Sequence, residues 1–142
     1  DASTEKKVSV GLREMSMDLP VPGILESPFG VFESKIFSYK KQKIEEKKYT
    51  KWFDYDKIKN SPCVRTRRQG DYLTVNSEGG RKKLNRIFID EKIPAEMRDR
   101  LPVVAAGSEI LWIPGGRMNE KYKITSTTGR VLELHYQGGA LA

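Results

Sequence analysis

The sequence predicts a β-rich α+β protein with one or two short helices. Stretches such as Met15 to Leu19 alternate apolar and polar residues, which is the pattern of a strand with one buried face. Segments dense in proline and glycine, such as LPVPGILESPFG at 19–30, interrupt these stretches and must turn. One segment, 81–91, shows the clear apolar spacing of an amphipathic helix. We therefore expect strands to dominate.

In the first part of the chain, two further strands are expected. VFESKIFSY at 31–39 and YTKWFDYDKI at 49–58 are rich in aromatic and β-branched residues, which favour strands. The charge run KKQKIEEKK between them predicts an exposed loop. The segment KNSP that follows is rich in turn-forming residues, and we place a subdomain boundary there. The expected division is a β-rich connecting subdomain at 1–60 and a basic C-terminal domain at 61–142.

The second part begins with short strands at Cys63 to Arg68 and at YLTV, joined by a turn at Gln69-Gly70-Asp71. A loop, NSEGG, leads to the predicted helix at 81–91. Leu84, Ile87 and Phe88 have the spacing i, i+3, i+4 and form one apolar stripe. The opposite side of the same helix would carry Lys82, Lys83 and Arg86.

After this helix, AEMRDRL predicts a short second helix with Pro94 at its first turn. EILWIPGG at 109–116 has the continuous apolar run of a buried strand, followed by a turn. KYKITSTTGRVLELHYQ at 121–137 is interpreted as a β-hairpin. Its second strand alternates apolar and polar residues, and Thr128-Gly129 marks the turn.

Charge is the most unusual property of the composition. The formal net charge is +7, and residues 61–89 contain seven basic and only two acidic side chains. Such a concentration favours an anionic partner, with nucleic acid first, although a solvated face that aids solubility is the alternative. No apolar run approaches the roughly 20 residues of a membrane span, and no signal peptide is expected. Cys63 is the only cysteine, which excludes an internal disulfide.

The residue types do not assemble into a catalytic or metal-binding pattern. His135 is the only histidine and is expected to be an exposed strand residue. Cys63 lacks an identifiable base, so it is expected to pack as a small hydrophobe. Asp54 and Asp56 would share one strand face and could bind a cation, but capping or solvent exposure is the alternative. Neither a metal nor a cofactor is therefore expected in this chain.

Gly79 and Gly80 raise the question of a phosphate site. They precede the predicted helix, so its N-terminal N–H groups and the following cations could meet a phosphate. The alternative is a mobile loop before an ordinary helix, and the P-loop pattern GxxxxGK[ST] is absent. Tyr72 could stack on a base or ribose, or it could simply pack.

Several motifs occur together in one order: VRTRRQGDYL, GGRKKLNRIFIDEKIP, RDRLPVV, EILWIPGGR and EKYKIT. This ordered set closely resembles the C-terminal domain of the tRNA(Ile)-lysidine synthetase family, and LPVPGILESPFG and WFDYDKI resemble the segment that precedes it. The connector TVNSEGG departs from many relatives, whose loop contains a proline and a further glycine. The resemblance implies a β-sandwich of unusual connectivity, which is also similar to part of the phenylalanyl-tRNA synthetase β chain.

The resemblance also implies a division of labour. The parent enzyme uses ATP with Mg²⁺ and lysine to convert the wobble cytidine of an isoleucine tRNA with a CAU anticodon to lysidine. That chemistry belongs to a cytoplasmic enzyme's N-terminal catalytic domain, which carries an SGGxDS loop. No such motif occurs here, so this chain is expected to be inactive alone and to hold no cofactor. Its expected partners are tRNA and the catalytic domain, and a homodimer is left open.

The domain's implied role is to grip the tRNA acceptor stem. Strand alternation would place Arg65 and Arg67 on one face and Arg68 on the other, so not all three can touch RNA. The alternatives are a module that docks an acidic partner or the catalytic domain, and a self-contained enzyme, which the missing loop argues against. The candidate tRNA-binding residues are Arg65, Arg67, Arg68, Arg81, Lys82, Lys83, Arg86, Arg117 and Lys121.

Overall fold

A computed structural model describes residues 15–45 and 47–138 of the chain. Within them, two short α-helices, α1 (Leu84–Asp90) and α2 (Ala95–Arg98), accompany the strands, and Tyr55–Lys57 and Glu120–Tyr122 form single 3₁₀ turns. None of the helices described is long and apolar enough to cross a bilayer. In chain order the strands are β1 (Ser16–Asp18), β2 (Gly23–Ser27), β3 (Gly30–Ser38), β4 (Thr50–Asp54), β5 (Cys63–Arg65), β6 (Tyr72–Thr74), β7 (Arg81–Lys83), β8 (Val103–Ala106), β9 (Glu109–Trp112) and β10 (Arg130–Gly138).

The strands form two sheets. One sheet has six strands in the order β1-β5-β8-β9-β6-β7, and the other has four in the order β2-β3-β10-β4. All neighbours are antiparallel except β6 and β9, which pair in parallel at Tyr72 and Glu109. β3 and β10 form the longest ladder, from Gly30 opposite Gly138 to Ser38 opposite Arg130. The expected β-rich α+β fold, with two sheets and two short helices, is confirmed.

The connectivity crosses the boundary that the sequence suggested. β1 comes before residue 60 but lies in the six-stranded sheet, whereas β10 comes near the end and lies between β3 and β4. Each sheet therefore draws strands from both sides of residue 60. The division into 1–60 and 61–142 does not follow the sheets, and as a statement about separate subdomains it stays a prediction.

Two apolar clusters make the six-stranded sheet the middle layer. Between the sheets, Phe53 and Trp112 pack with their ring centroids 6.3 Å apart, and both are fully buried. On β8 the side chains alternate: Val104 belongs to this cluster and Val103 to the one on the opposite face. Helix α1 covers that opposite face. Each large side chain buried in this way contributes roughly 1.5–3 kcal/mol.

Helix α1 is shorter than predicted, although its apolar stripe is confirmed. Leu84, Ile87 and Phe88 are each at most 1% exposed and pack on β6, β8 and β9. Residues 81–83 are not helical but form β7, because a tight turn folds them back along β6. In that turn Asn76 Oδ1 accepts the N–H of Gly80 at 2.9 Å. A Cβ at residue 80 would lie 2.6 Å from Asn76 Nδ2, so any other residue there would force the Asn76 side chain to move.

The hairpin prediction for 121–137 is wrong. Residues 120–122 form a 3₁₀ turn, and β10 pairs with β3 and β4 instead of with its own preceding segment. The buried Asn119 sets the path of this segment, because its side chain donates to Ile110 O at 2.8 Å and accepts from Lys121 N at 2.9 Å. The predicted alternation of apolar and polar residues along β10 is confirmed, but such alternation cannot identify the partner strand.

Two other strands were not predicted from the sequence. β8, with the sequence VVAA, is buried on both faces and therefore lacks the alternation that marks a half-buried strand. β2 lies inside the segment that was expected only to turn. The remaining predicted strands are present, with β5 ending at Arg65 and β4 at Asp54, where the chain enters a 3₁₀ turn.

Truncating Leu84 should test the packing of α1 on the sheet. Leu84→Ala is expected to lower the free energy of unfolding by about 2–5 kcal/mol through lost contacts and a cavity. Ile89, which is 48% exposed on the same helix, provides the control. Ile89→Ala should change stability by no more than about 0.5 kcal/mol. Urea unfolding of both variants measures the difference, and equal losses would contradict this packing.

Candidate nucleic-acid interface

Arg65, a candidate RNA contact, is instead part of the interior. Its side chain is buried beside Asp71, and both guanidinium Nη atoms donate to the two carboxylate oxygens at 2.8 Å. The same nitrogens reach the carbonyls of Thr66 and Gly107 at 3.0 and 2.9 Å. Burial lowers the pKa of the guanidinium, but the hydrogen bonds and charge of Asp71 outweigh it and hold the pKa above its ordinary value. The expectation that Arg65 grips RNA is therefore corrected.

Asp71 also organises the loop between β5 and β6. Its Oδ2 accepts the backbone N–H of Arg68 at 2.7 Å, so the loop closes on the same carboxylate that binds Arg65. Because β5 ends at Arg65, strand alternation does not continue through the next three residues. Arg68 consequently projects into solvent, and it forms no ion pair with any residue in the described ranges.

Arg67 links this loop to the helical layer. Its Nε donates to Asp99 Oδ1 at 2.9 Å and its Nη1 to Asn85 Oδ1 at 3.0 Å, which connects the loop to α1 and to the turn after α2. One quarter of its side chain is exposed. Arg67 is thus a structural connection whose charge is already matched by a carboxylate.

On the helix side of the six-stranded sheet, cations again have carboxylate partners. Lys82 pairs with Asp90, and Arg86 Nε lies 3.3 Å from the same carboxylate. The hydrogen bond from Lys82 lowers the pKa of Asp90, desolvation opposes this shift, and the charges of Lys82 and Arg86 add to the lowering. Asp90 therefore stays ionised and partly neutralises this pair of cations.

The opposite side of β7 has a different character. Arg81 lies over the Tyr72 ring, with its guanidinium carbon 4.6 Å from the centroid, and Lys83 is exposed opposite Tyr72 in the ladder. Arg117 Nη2 donates to Val75 O at 3.2 Å, immediately after β6. Among the described residues, no carboxylate forms an ion pair with these three cations.

Lys121 joins the same region from the 3₁₀ turn beside β6. Its Nζ is 3.6 Å from Glu109 Oε2, and Glu109 also accepts a short hydrogen bond from Tyr122. Burial and this hydrogen bond raise the pKa of Tyr122 above its ordinary value. We define the β6–β7 surface as the side chains of Tyr72, Arg81, Lys83, Arg117 and Lys121.

The glycine pair does not prepare a helix N-terminus for phosphate. β7 separates Gly79 and Gly80 from α1, and both glycine N–H groups already donate to Asn76. Gly79 has a φ of +86°, a conformation that the turn needs and that glycine adopts without strain. The expectation of a phosphate site at this position is therefore corrected.

The other titratable residues have structural surroundings. His135 is exposed, as expected, with Nδ1 2.7 Å from Thr50 Oγ1. Asp54 is buried and accepts from Thr128 Oγ1 at 2.9 Å. Asp56 lies in the 3₁₀ turn after β4, not on a shared strand face, and Arg130 binds it. In the described part of the chain no three His, Cys, Asp or Glu residues form a cluster that could hold a metal.

Three acidic or amide partners of the basic residues were not predicted from the sequence, namely Asp71, Asn85 and Asp99. One signal was present for Asp71, because it lies in the predicted turn that follows Arg65. Asp99 and Asn85 meet Arg67 only through the tertiary fold, so no local spacing points to them.

Comparison with known proteins gives a consistent result. Residues 63–134 match the family model described as TilS substrate C-terminal domain. The chain is 50% identical over 88 residues to tRNA(Ile)-lysidine synthase of Caldanaerobacter subterraneus subsp. tengcongensis, which covers 62% of this chain and 19% of that protein. It is 37% identical over 123 residues to tRNA(Ile)-lysidine synthase of Geobacillus kaustophilus, which covers 84% of this chain and 26% of that protein.

A solved structure extends the comparison to the fold. The crystal structure of TILS C-terminal domain superposes with a TM-score of 0.72 and 33% sequence identity, over 87% of this chain and 95% of that one. The two-sheet architecture is thus that of the C-terminal substrate domain of a synthase. The chain belongs to the tRNA(Ile)-lysidine synthase family, as its C-terminal substrate domain. It spans about a fifth to a quarter of the length of the curated relatives described above.

Breaking the Arg65–Asp71 pair should destabilise the domain strongly. Asp71→Asn is expected to lower the free energy of unfolding by about 3–5 kcal/mol, because a buried guanidinium would lose its counter-charge. Glu33→Gln is the control, since Glu33 and Lys35 form a solvent-exposed pair at 3.6 Å whose loss should cost at most about 1 kcal/mol. Urea denaturation compares the two, and a cost for Asp71→Asn no larger than the control would refute the buried pair.

Proposed function

We propose that this chain is the non-catalytic tRNA-binding domain of a ligase that converts the wobble cytidine of an isoleucine tRNA with a CAU anticodon to lysidine. The names of the family model and of the relatives support the tRNA and its modification. The observation that supports binding by this domain is the β6–β7 surface, where Arg81, Lys83 and Arg117 lack carboxylate partners among the residues described.

The chemistry is assigned to the rest of the parent protein. The 142 residues contain no SGGxDS motif, and the curated relatives are four to five times longer than the part that matches. ATP with Mg²⁺ and lysine would bind the N-terminal catalytic domain, in the cytoplasm, and that domain would be this chain's protein partner. Whether the parent protein is a homodimer is independent of this proposal.

The physical basis of the proposed grip is contact with phosphate. The deep groove of A-form RNA hides its base edges, so a basic surface recognises phosphates, shape and 2′-OH groups. A cation that already has a carboxylate partner gains less from a phosphate, because it must exchange one anion for another. By this criterion the principal contacts are Arg68 and three cations of the β6–β7 surface, Arg81, Lys83 and Arg117. The cations that already have a carboxylate partner are secondary: Arg67, Lys82, Arg86 and Lys121. The main tRNA contacts are therefore proposed on the strand β7 and its neighbours, and not on the exposed side of α1.

Substitution of two arginines, one on each side of the six-stranded sheet, should show which side contacts tRNA. Arg81→Ala should weaken tRNA binding and reduce the slope of log K against log salt by about 0.7–0.9, the loss of one phosphate contact. Arg86→Ala removes the same charge from another exposed position, one that is paired with Asp90, and it should change the slope less. Titrations of the chain with tRNA at several salt concentrations measure both. A larger effect of Arg86→Ala on the slope would instead indicate that tRNA contacts the helix side of the sheet.

A second comparison tests the division of labour in the parent enzyme. Arg81→Ala should lower kcat/KM for intact tRNA, because it removes binding energy remote from the reacting cytidine. Modification of an isolated anticodon stem-loop should not change, since that substrate lacks the acceptor arm. Equal losses on both substrates, or tRNA affinity that does not vary with salt, would favour the alternative in which this surface docks a protein.

A further inference from the structure

Within residues 15–45 and 47–138, the main chain of β7 has a free edge. Among these residues β7 is the last strand of the six-stranded sheet and pairs only with β6. Val75 N donates to Gly80 O at 2.8 Å, and Leu84 N donates to Asp71 O at 2.9 Å. In an antiparallel ladder hydrogen-bonded pairs alternate with pairs that exchange no hydrogen bonds. Residues 80, 82 and 84 therefore bond to β6, while the N–H and C=O groups of Arg81 and Lys83 point away from the sheet.

This edge combines two kinds of donor for an anion. The two outward N–H groups are two residues apart, or about 6.8 Å along an antiparallel strand. The side chains of the same residues, Arg81 and Lys83, are exposed cations. Sheet edges that present main-chain N–H groups bind anions, and charge-assisted hydrogen bonds are the stronger ones.

We propose that the free edge of β7 binds backbone phosphates of the tRNA through the main-chain N–H groups of Arg81 and Lys83 together with their side chains. The proposal rests on the proposed function, and it adds donors that a substitution by any residue other than proline leaves in place. Because β7 is fixed between β6 and α1, these N–H groups are held in place before RNA binds. They lose no rotamer freedom on binding, unlike the lysine and arginine side chains.

Addition of another strand to this edge is the less favoured use. β7 has three residues and continues directly into α1, so an added strand would find only two outward N–H groups, whereas strands usually have five or six residues. Pairing with a second copy would place Arg81 and Lys83 beside identical cations, and like charges across strands are destabilising. Charged residues on an edge also discourage such pairing.

Lys83→Pro and Lys83→Ala form a matched pair that isolates the N–H group. Both remove the cation, but only proline removes the N–H. Lys83 has φ −68° and ψ 141°, which proline adopts, and Lys82 before it is in a strand, as a residue before proline prefers. The Lys83 N–H is not part of the β6 ladder, and the solved domain, 95% of which this chain covers, indicates that such a chain folds by itself.

Lys83→Ala should weaken tRNA binding and lower the salt slope by about 0.7–0.9. Lys83→Pro should weaken binding roughly a further tenfold, as the loss of a hydrogen bond to a charged group requires. Its salt slope should equal that of Lys83→Ala, because a neutral N–H releases no counterion. Melting temperatures of the two variants should agree within a few degrees, which shows that β7 is intact.

Other outcomes distinguish a failure of this inference from a failure of the proposed function. If both variants bind equally but more weakly than the parent chain, the cation contacts RNA and the edge N–H does not, so this inference is overturned while the proposed function stands. If neither variant changes tRNA binding, neither the side chain nor the N–H of Lys83 contacts RNA, and this inference is overturned; if the parent chain itself does not bind tRNA, the proposed function fails as well. If the variants keep their affinity but self-associate in sedimentation experiments, the edge charges serve only to prevent strand pairing, which also overturns the inference.

Discussion

The arrangement of the basic residues depends on one buried carboxylate, that of Asp71. Its side chain binds the Arg65 guanidinium and the Arg68 N–H, and its carbonyl accepts the N–H of Leu84, the first residue of α1. Arg65 in turn reaches the carbonyl of Gly107 in the β8–β9 turn. One residue therefore connects the end of β5, the start of β6, the entrance to α1 and a neighbouring turn. Such a site tolerates poorly the removal of either partner, because the remaining charge would be buried alone.

The layered fold sorts the cations by their surroundings. Successive residues of β7 face opposite sides of the sheet, so Lys82 lies beside α1 and its Asp90, while Arg81 and Lys83 lie on the other side with Tyr72. Since α1 supplies one carboxylate for Lys82 and Arg86, the charge on the helix side is partly neutralised, whereas Arg81 and Lys83 on the strand side have no ion-pair partner among the described residues. These unpaired cations attract an anionic partner more strongly.

Local patterns could be predicted from the sequence, but the pairing of strands and of charged side chains could not. The apolar stripe of α1 and the alternation of β10 are local, and both appear in the structure. The place of β10 between β3 and β4 depends on pairing between residues 77 to 108 positions apart, which no periodicity encodes. β8 is buried on both faces, so its sequence does not alternate. Arg65 illustrates the limit for the site, because a count of charges does not distinguish a buried cation from one that meets RNA.

A rigid edge suits a domain that holds a flexible, charged substrate away from the reacting atom. Binding energy supplied at a distance helps only as far as it exceeds the entropy lost when both surfaces become ordered. Arg81 has already lost part of its freedom by packing over Tyr72, and Arg117 is held by the carbonyl of Val75. The turn around Asn76 fixes the backbone between these two positions. Part of the β6–β7 surface is thus ordered before any ligand arrives, so less side-chain entropy is lost when it binds a phosphate.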